Sequence, residues 1–586
     1  MADYWDRYWS RRRLLGATGL GVAGTASLAL VGCGSGSSSG PSLSNLVTPS
    51  AQATKVDPFA GATPGGTLGF WVTGDPATID PYGNASFTTK TISAYVYSRL
   101  FKYKTGIDIL RADVRPTGDL ADTAEATPDG LQWTVKLKPG INFHNVAPVN
   151  GRAVTTDDVK FSWGRLTDPK NAARIQVDYV DKVAFPDAST AVFTLKTPSA
   201  VFLDTLSDSN LLWIMPTESD GKFDPAKTMI GSGPWLFDSY TPSQSYKMKK
   251  NPNWYEKGFP LLDGIDVAII PDNANRLAQF YAGNLDTLSP NAPDLLDIMK
   301  TVKDVQVASY RGQGANWLWF DGQDPNAPYV KDERIRQAIS MAVDRDALND
   351  LAYNTKQLQA AGLTVSTGWN NVISTGWGRW SLDPKSPKMG DAAKFWQYNP
   401  AAAQQLLSAA GFTSDSPLQV TYQYPATIYG KNFDDSAQAT QNYIGALNNM
   451  RLTTDVQDYA SKYITQTFLG NFKGLAFGLE TGFPEVGNFP VRLFTDNSAN
   501  HGRVKDPVLT KFANDQQIER DDAKRVQLFQ DAQIYHASKL WYIPLQIASG
   551  ETWTVNKPML HNNNGFFTLA YGQPTESAPY WWKSRG

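Results

Sequence analysis

The chain carries one cysteine, Cys33, and four histidines, His144, His501, His536 and His561, among 586 residues. A single thiol excludes an intramolecular disulfide, and so few soft ligands leave little room for a thiolate or multi-histidine metal site. An excess of charge of either sign is also missing. With 54 basic against 56 acidic side chains the net charge is −2, too balanced for the positive field that holds nucleic acid. Nucleic acid is therefore not an expected partner. Beyond the first 32 residues no stretch approaches the roughly 18 uninterrupted apolar residues of a membrane span, so the body is not read as a channel or permease. Gly and Pro, at 47 and 36 residues, stay below the share that marks low complexity. Aromatic surface is plentiful, with 18 Trp, 25 Tyr and 27 Phe, and it suits stacking on flat ligand faces. At roughly 100 to 200 residues per domain, the length predicts two to four domains.

Residues 10–16 read Ser10-Arg11-Arg12-Arg13-Leu14-Leu15-Gly16, followed by an Ala- and Gly-rich apolar stretch that ends in Leu30-Val31-Gly32-Cys33. This is the layout of an export signal. The arginine pair after Ser10 resembles a twin-arginine translocation signal, with Leu14 and Gly16 in place of the commoner Phe and Lys. Leu30-Val31-Gly32-Cys33 resembles a bacterial lipobox. On that reading residues 1–32 are a lipoprotein signal peptide, Cys33 is lipidated, and the body lies outside the cytoplasm, anchored to the cell membrane. Residues 33–65 are rich in Gly, Ser, Pro and Thr and have too little apolar surface to offset the entropy of ordering; they predict a tether reaching roughly 30 Å. Two pattern matches in this part of the chain are rejected. Gly19-Leu20-Gly21-Val22-Ala23-Gly24 fits a dinucleotide fingerprint but follows no strand, and Gly36-Ser37-Ser38-Ser39-Gly40 fits a nucleophile elbow but lies in the tether.

The body alternates strands and helices, which points to an α/β protein. Leu131, Trp133, Val135 and Leu137 alternate with polar residues before Pro139-Gly140, a half-buried strand and turn. Thr155-x-x-Asp158 is a capping-box pattern, and Val159, Trp163 and Leu166 follow at helical spacing. Ile265, Val267 and Ile269 predict a strand. A helix enters near Asp332, and another begins at Asn399-Pro400 and stops at Gly411. Ile543, Leu545 and Ile547 alternate again.

Ser98-Arg99-Leu100-Phe101, Asp119-Leu120-Ala121, Asp157-Asp158-Val159-Lys160-Phe161-Ser162, Gly231-Ser232-Gly233-Pro234-Trp235, Asn251-Pro252-Asn253-Trp254-Tyr255 and Arg334-Ile335-Arg336-Gln337-Ala338 occur in this order. Together they resemble family 5 of the extracytoplasmic solute-binding proteins of ABC importers, the oligopeptide, dipeptide and nickel-binding group, over most of residues 66–570. The resemblance implies a two-lobed periplasmic-binding-protein-like fold of class II, the large three-subdomain type. Lobe 1 would span 66–322 with a subdomain inserted at about 96–215, lobe 2 would span 323–543, and residues 544–586 would return to lobe 1. The chain would cross between lobes near Trp317 to Gly322 and near Leu545 to Gly550. It also implies a monomer that binds a small-molecule ligand, a peptide or an oligosaccharide, between its lobes and delivers it to an ABC permease, with no cofactor, no metal and no catalysis. Two rival classes are an exported hydrolase and a sensor or adhesion module that kept the clamp without the permease.

Candidate ligand-binding residues are Trp317, Trp377, Trp380, Glu480, Phe483 and Asn488. The tryptophans offer stacking faces, two of them in a Gly-rich stretch that reads as a loop. Peptide-binding relatives place an aspartate against the peptide's amino terminus, and that position falls on Gly482. Glu480 or Glu485 would have to replace it, because a buried ammonium without a carboxylate carries a desolvation cost of several kcal/mol. His144 is expected to make a structural hydrogen bond.

Overall fold

The computed structural model describes residues 57–584 apart from 84–86, 107–114, 367, 427–428, 481–484, 498–499, 547–550 and 564–575. The export signal and Cys33 lie outside the described residues. Residues 57–65, which composition assigns to the tether, are docked on the body. The Gly65 N–H donates to the Leu261 carbonyl at 2.8 Å, the Trp582 indole N–H donates to the Pro58 carbonyl at 3.3 Å, and Phe59 packs on Phe259.

In the first lobe, strand Thr67–Val72 pairs in parallel with Gly264–Ile269, and Ser245–Lys250 and Trp235–Thr241 continue the sheet antiparallel. Ile265 and Val267 are buried beside Leu68, Trp213, Trp235 and Trp581, as the alternation predicts. The inserted subdomain is an antiparallel sheet in the order Ala121–Ala126, Gln132–Leu137, Thr190–Leu195, Val180–Asp187. Its Trp133, Val135 and Leu137 face a core with Phe193 and Phe202. Helix Thr156–Leu166 starts on the expected box: the Asp158 carboxylate accepts from the Thr155 N–H at 3.0 Å, and Val159 and Leu166 are buried. His144 does make structural hydrogen bonds. Its Nε2 donates to the Gly233 carbonyl at 3.0 Å and its Nδ1 accepts from the Gly231 N–H at 3.3 Å.

The second lobe is built on a mixed sheet in the order Met450–Gln457, Leu418–Pro425, Leu475–Glu480, Ala315–Phe320, Tyr542–Pro544. Every residue of Ala315–Phe320 is buried because helices cover both faces. Leu318 and Phe320 enter a core with Ile335, Ile339 and Leu407, while Trp317 and Trp319 enter the opposite core with Phe489 and Phe529. The predicted caps are present: Asp332 accepts from the Arg334 N–H at 3.0 Å and Asn399 accepts from the Ala402 N–H at 3.1 Å.

A fourth, three-stranded sheet lies where the chain passes between the lobes. Gln306–Arg311 pairs antiparallel with Glu551–Asn556, which also pairs with Thr287–Leu288. Gln306–Arg311 runs on through residues 312–314 into Ala315–Phe320 of the second lobe, and Tyr542–Pro544 returns to Glu551–Asn556. The first passage is thus 312–314, since Trp317 already sits in the second lobe's sheet. In the other passage, 545–550, residues 547–550 lie outside the described residues. Because Gln306–Arg311 and Glu551–Asn556 are hydrogen-bonded partners, the two passages leave the first lobe side by side, a geometry suited to a hinge.

Candidate ligand-binding cleft

The site is built outward from strand Leu475–Glu480. In its register with Ala315–Phe320, Gly478 faces Trp317 and Glu480 faces Ala315. A Cβ at Gly478 would lie 2.2 Å from the Trp319 ring and 2.6 Å from the Tyr463 hydroxyl. Only glycine lets that indole lie over the strand, where it stacks on His501 at 4.3 Å and 17°. Replacing Gly478→Ala should therefore destabilise the protein by about 1–3 kcal/mol through overpacking. Urea unfolding checks this, with a lower midpoint at unchanged slope expected.

Glu480 is almost fully buried. One carboxylate oxygen lies 2.5 Å from His501 Nε2 and the other 3.8 Å from the Arg492 guanidinium. Burial pushes its pKa up, but the charges of His501 and Arg492 outweigh burial and hold it below the ordinary range. His501 is oriented from its other side by a hydrogen bond between Nδ1 and the Phe468 carbonyl. Glu485 is likewise engaged internally, accepting from Arg525 at 2.8 Å and from the Gly487 N–H at 2.6 Å. Both acids weighed as replacements for the missing aspartate thus already have a cation of their own.

The other candidates fall in three places. Trp317 is packed inside the second lobe, edge-on to Tyr542 at 5.6 Å. Trp377 and Trp380 are buried as well, in short 3-10 turns rather than an open loop; they meet Phe489 at 6.0 Å and Phe529 at 5.2 Å, with the guanidiniums of Arg379 and Arg525 over Trp380. Asn488 is half-buried at the start of helix Asn488–Phe494, next to Phe489. Trp377 and Asn488 are therefore brought to one neighbourhood through Phe489, and Trp317 is not among their ring partners. Phe483 and Gly482 lie outside the described residues.

The lobes touch. The Ala200 N–H of the inserted subdomain donates to the Gln517 carbonyl at 2.6 Å, Arg520 reaches the Pro128 carbonyl at 3.4 Å, and Arg115 lies 3.4 Å from Asp522, which also receives Arg379. Asp204, on helix Phe202–Ser207, is half-buried at this boundary. Burial first, then the charge of Glu485 on the opposite lobe, push its pKa well above the carboxylate range, and Arg525 acts in the other direction. Tyr103 donates to the Asp204 carbonyl at 3.4 Å, and Tyr179 donates to Thr205 at 2.8 Å. Nothing in the sequence singled out Asp204, an unremarked polar residue in Phe202-Leu203-Asp204-Thr205-Leu206-Ser207.

The model of the bacterial extracellular solute-binding proteins, family 5, matches residues 115–501, about two thirds of the chain. The chain belongs to that family. It is 28% identical over 408 residues to heme-binding protein A of Haemophilus influenzae, a match covering 66% of this chain and 67% of that protein. It is 30% identical over 293 residues to the probable D,D-dipeptide-binding periplasmic protein DdpA of Escherichia coli, covering 49% and 55%. The matched regions thus span from about half to two thirds of these relatives' lengths. Among solved structures, DppA of Helicobacter pylori in complex with the peptide STSA superposes with a TM-score of 0.68 at 20% identity, covering 89% of this chain and 99% of that one. AppA of Bacillus subtilis in complex with a nonapeptide gives 0.66 at 19%, covering 89% and 100%. At such identities the likeness carries the fold, a two-lobed clamp. Family 5 binding proteins are extracytoplasmic, and among the described residues no helix is long and apolar enough to cross a membrane.

Proposed function

We propose that this chain is the solute-capturing subunit of an ABC importer, moored to the membrane by lipidated Cys33, and that it takes small peptides between its lobes. The observation that carries the reading is Asp204, a carboxyl at the lobe boundary whose pKa burial and Glu485 across it push up. A peptide ammonium placed there would return Asp204 to its charged form and offset the desolvation that an unpaired acid meets. A ligand touching both lobes favours the closed clamp by its difference in affinity for closed and open forms, and the permease reads the relative position of the lobes. In this reading Asn488 supplies a ligand contact, and Phe483, outside the described residues, is a second candidate by its place in the sequence. Trp377 and Trp380 back them through Phe489 and Phe529, and Trp317 and Glu480 hold the strand end from within.

Thermal shifts with di- to hexapeptides, set against cello-, xylo- and malto-oligosaccharides, test it. A peptide at 100 times its Kd should stabilise by about 2.7 kcal/mol, and tri-alanine should shift the melting curve more than its N-acetyl form. A response to oligosaccharides alone, or cleavage of the peptides, would overturn the reading.

A further inference from the structure

Where both chain passages leave the second lobe, three carboxamide side chains are buried with unpaired atoms. Gln546 is 1% exposed and among the described residues neither its Oε1 nor its Nε2 has a partner; Asn316 Oδ1 and Gln313 Nε2 are also buried and unpartnered there. They form one neighbourhood. The Asn316 N–H donates to the Gln546 carbonyl at 3.0 Å, the Leu545 N–H donates to the Asn316 carbonyl at 2.8 Å, and Ser374 Oγ donates to the Gln313 carbonyl at 2.7 Å. Asn370 closes the group by donating to the Leu545 carbonyl at 3.0 Å while its own Oδ1 accepts from the Thr375 N–H at 3.1 Å. These bonds use main-chain atoms of the three residues, and the orphan atoms belong to their side chains.

Buried polar atoms are almost always paired, so four unpaired ones in adjoining strand ends mark a place where something else completes them. We infer that Gln313, Asn316 and Gln546 form an uncharged polar subsite at the hinge that binds amide groups of the ligand. Two orphan nitrogens and two orphan oxygens are equal numbers of donors and acceptors, which matches a neutral group that offers one of each. A carboxamide pairs in plane with the N–H and C=O of one extended residue, which belong to adjoining peptide bonds, so one residue of an extended peptide can complete both atoms of Gln546. A carboxylate would meet the orphan oxygens with its own lone pairs and an ammonium would leave the orphan nitrogens unmet. Glu480, opposite Ala315 in the sheet, faces His501 and Arg492. A ligand held at this point contacts the strands that connect the lobes, so its capture is coupled to their angle. The subsite rests on the reading of the protein as a solute receptor and extends it to a ligand class, amide-bearing solutes, independent of the amine recognised at Asp204.

The test compares wild type with Gln546→Met and Asn316→Leu, which keep shape and remove the polar atoms. Calorimetry uses tetra-alanine, chitotetraose, which carries N-acetyl amides, and cellotetraose, which carries none. Wild type should bind tetra-alanine. Both variants should weaken that binding at least tenfold while their ligand-free melting temperatures stay level or rise, because an unpaired buried amide stabilises nothing in the empty protein. If Gln546→Met does not fold, Gln313→Leu carries the same comparison. Unchanged affinity in the variants overturns the inference, as does a ligand-free melting temperature lower by several degrees, since the amides would then be paired without ligand. Binding of chitotetraose but not tetra-alanine, lost in the variants, leaves the amide subsite standing and removes the peptide reading. Binding of cellotetraose alone, or of none of the three, overturns both.

Discussion

Replacing Glu480→Leu should destabilise the protein by about 3–5 kcal/mol. The carboxylate is 1% exposed and is met by His501 at 2.5 Å and Arg492 at 3.8 Å. Without it the Arg492 guanidinium loses the carboxylate 3.8 Å away, and the His501 ring, stacked on Trp319, loses the acid that its Nε2 addresses. The loss should localise to the second lobe, because Leu475–Glu480 lies at the middle of its sheet. Urea unfolding followed by tryptophan fluorescence would check it. Adding His501→Leu to Glu480→Leu should restore part of the stability, since a well-packed apolar pair can replace a buried polar one. A change under 1 kcal/mol in the single variant would mean that the carboxylate is not carrying the charge balance of this core.

The second large effect is on pH. Burial pushes His144 down to about 4, and burial together with the nearby Arg336 charge pushes His536 down to about 3, with Asp506 opposing. Both rings are neutral in the fold: His144 accepts from the Gly231 N–H, and His536 Nε2 accepts from the Tyr542 N–H at 3.3 Å. In the unfolded chain each takes up a proton near pH 6.5. The unfolded state therefore binds more protons below that value, and stability falls as pH drops through 6.5 until the folded pKa is reached. Between pH 7 and pH 5 each histidine should remove about 2 kcal/mol. Urea midpoints at the two pH values would show it, and His536→Gln and His144→Gln should each flatten the histidine share of the pH dependence by about half. Variants as pH-sensitive as wild type would count against buried neutral rings.

Local sequence signals gave way to tertiary packing at identifiable places. Thr155 with Asp158, Asp332 and Asn399 with Pro400 cap helices where their spacing put them, because a cap is satisfied by residues two or three positions away. Trp377 and Trp380 had a Gly-rich neighbourhood that reads as an open loop, yet both rings are buried against Phe489 and Phe529. The apolar partners that cover them lie more than a hundred residues away. Residues 57–65 had a tether's composition and are docked, since Phe59 finds Phe259 across the fold.

The sequence alone determined the export signal pattern, the α/β class, the family and the positions of the strands and caps, all of which are written in neighbouring residues or in the order of short motifs. Only the folded chain decided that Glu480 and Glu485 turn inward to His501, Arg492 and Arg525, that Asp204 stands near Glu485 across the lobe boundary, and that Gln313, Asn316 and Gln546 carry unpaired atoms where the chain passes between lobes. The reason is that whether a charge or an amide has a partner depends on atoms a few ångströms away in space, and here those atoms come from positions up to some 280 residues apart in the chain.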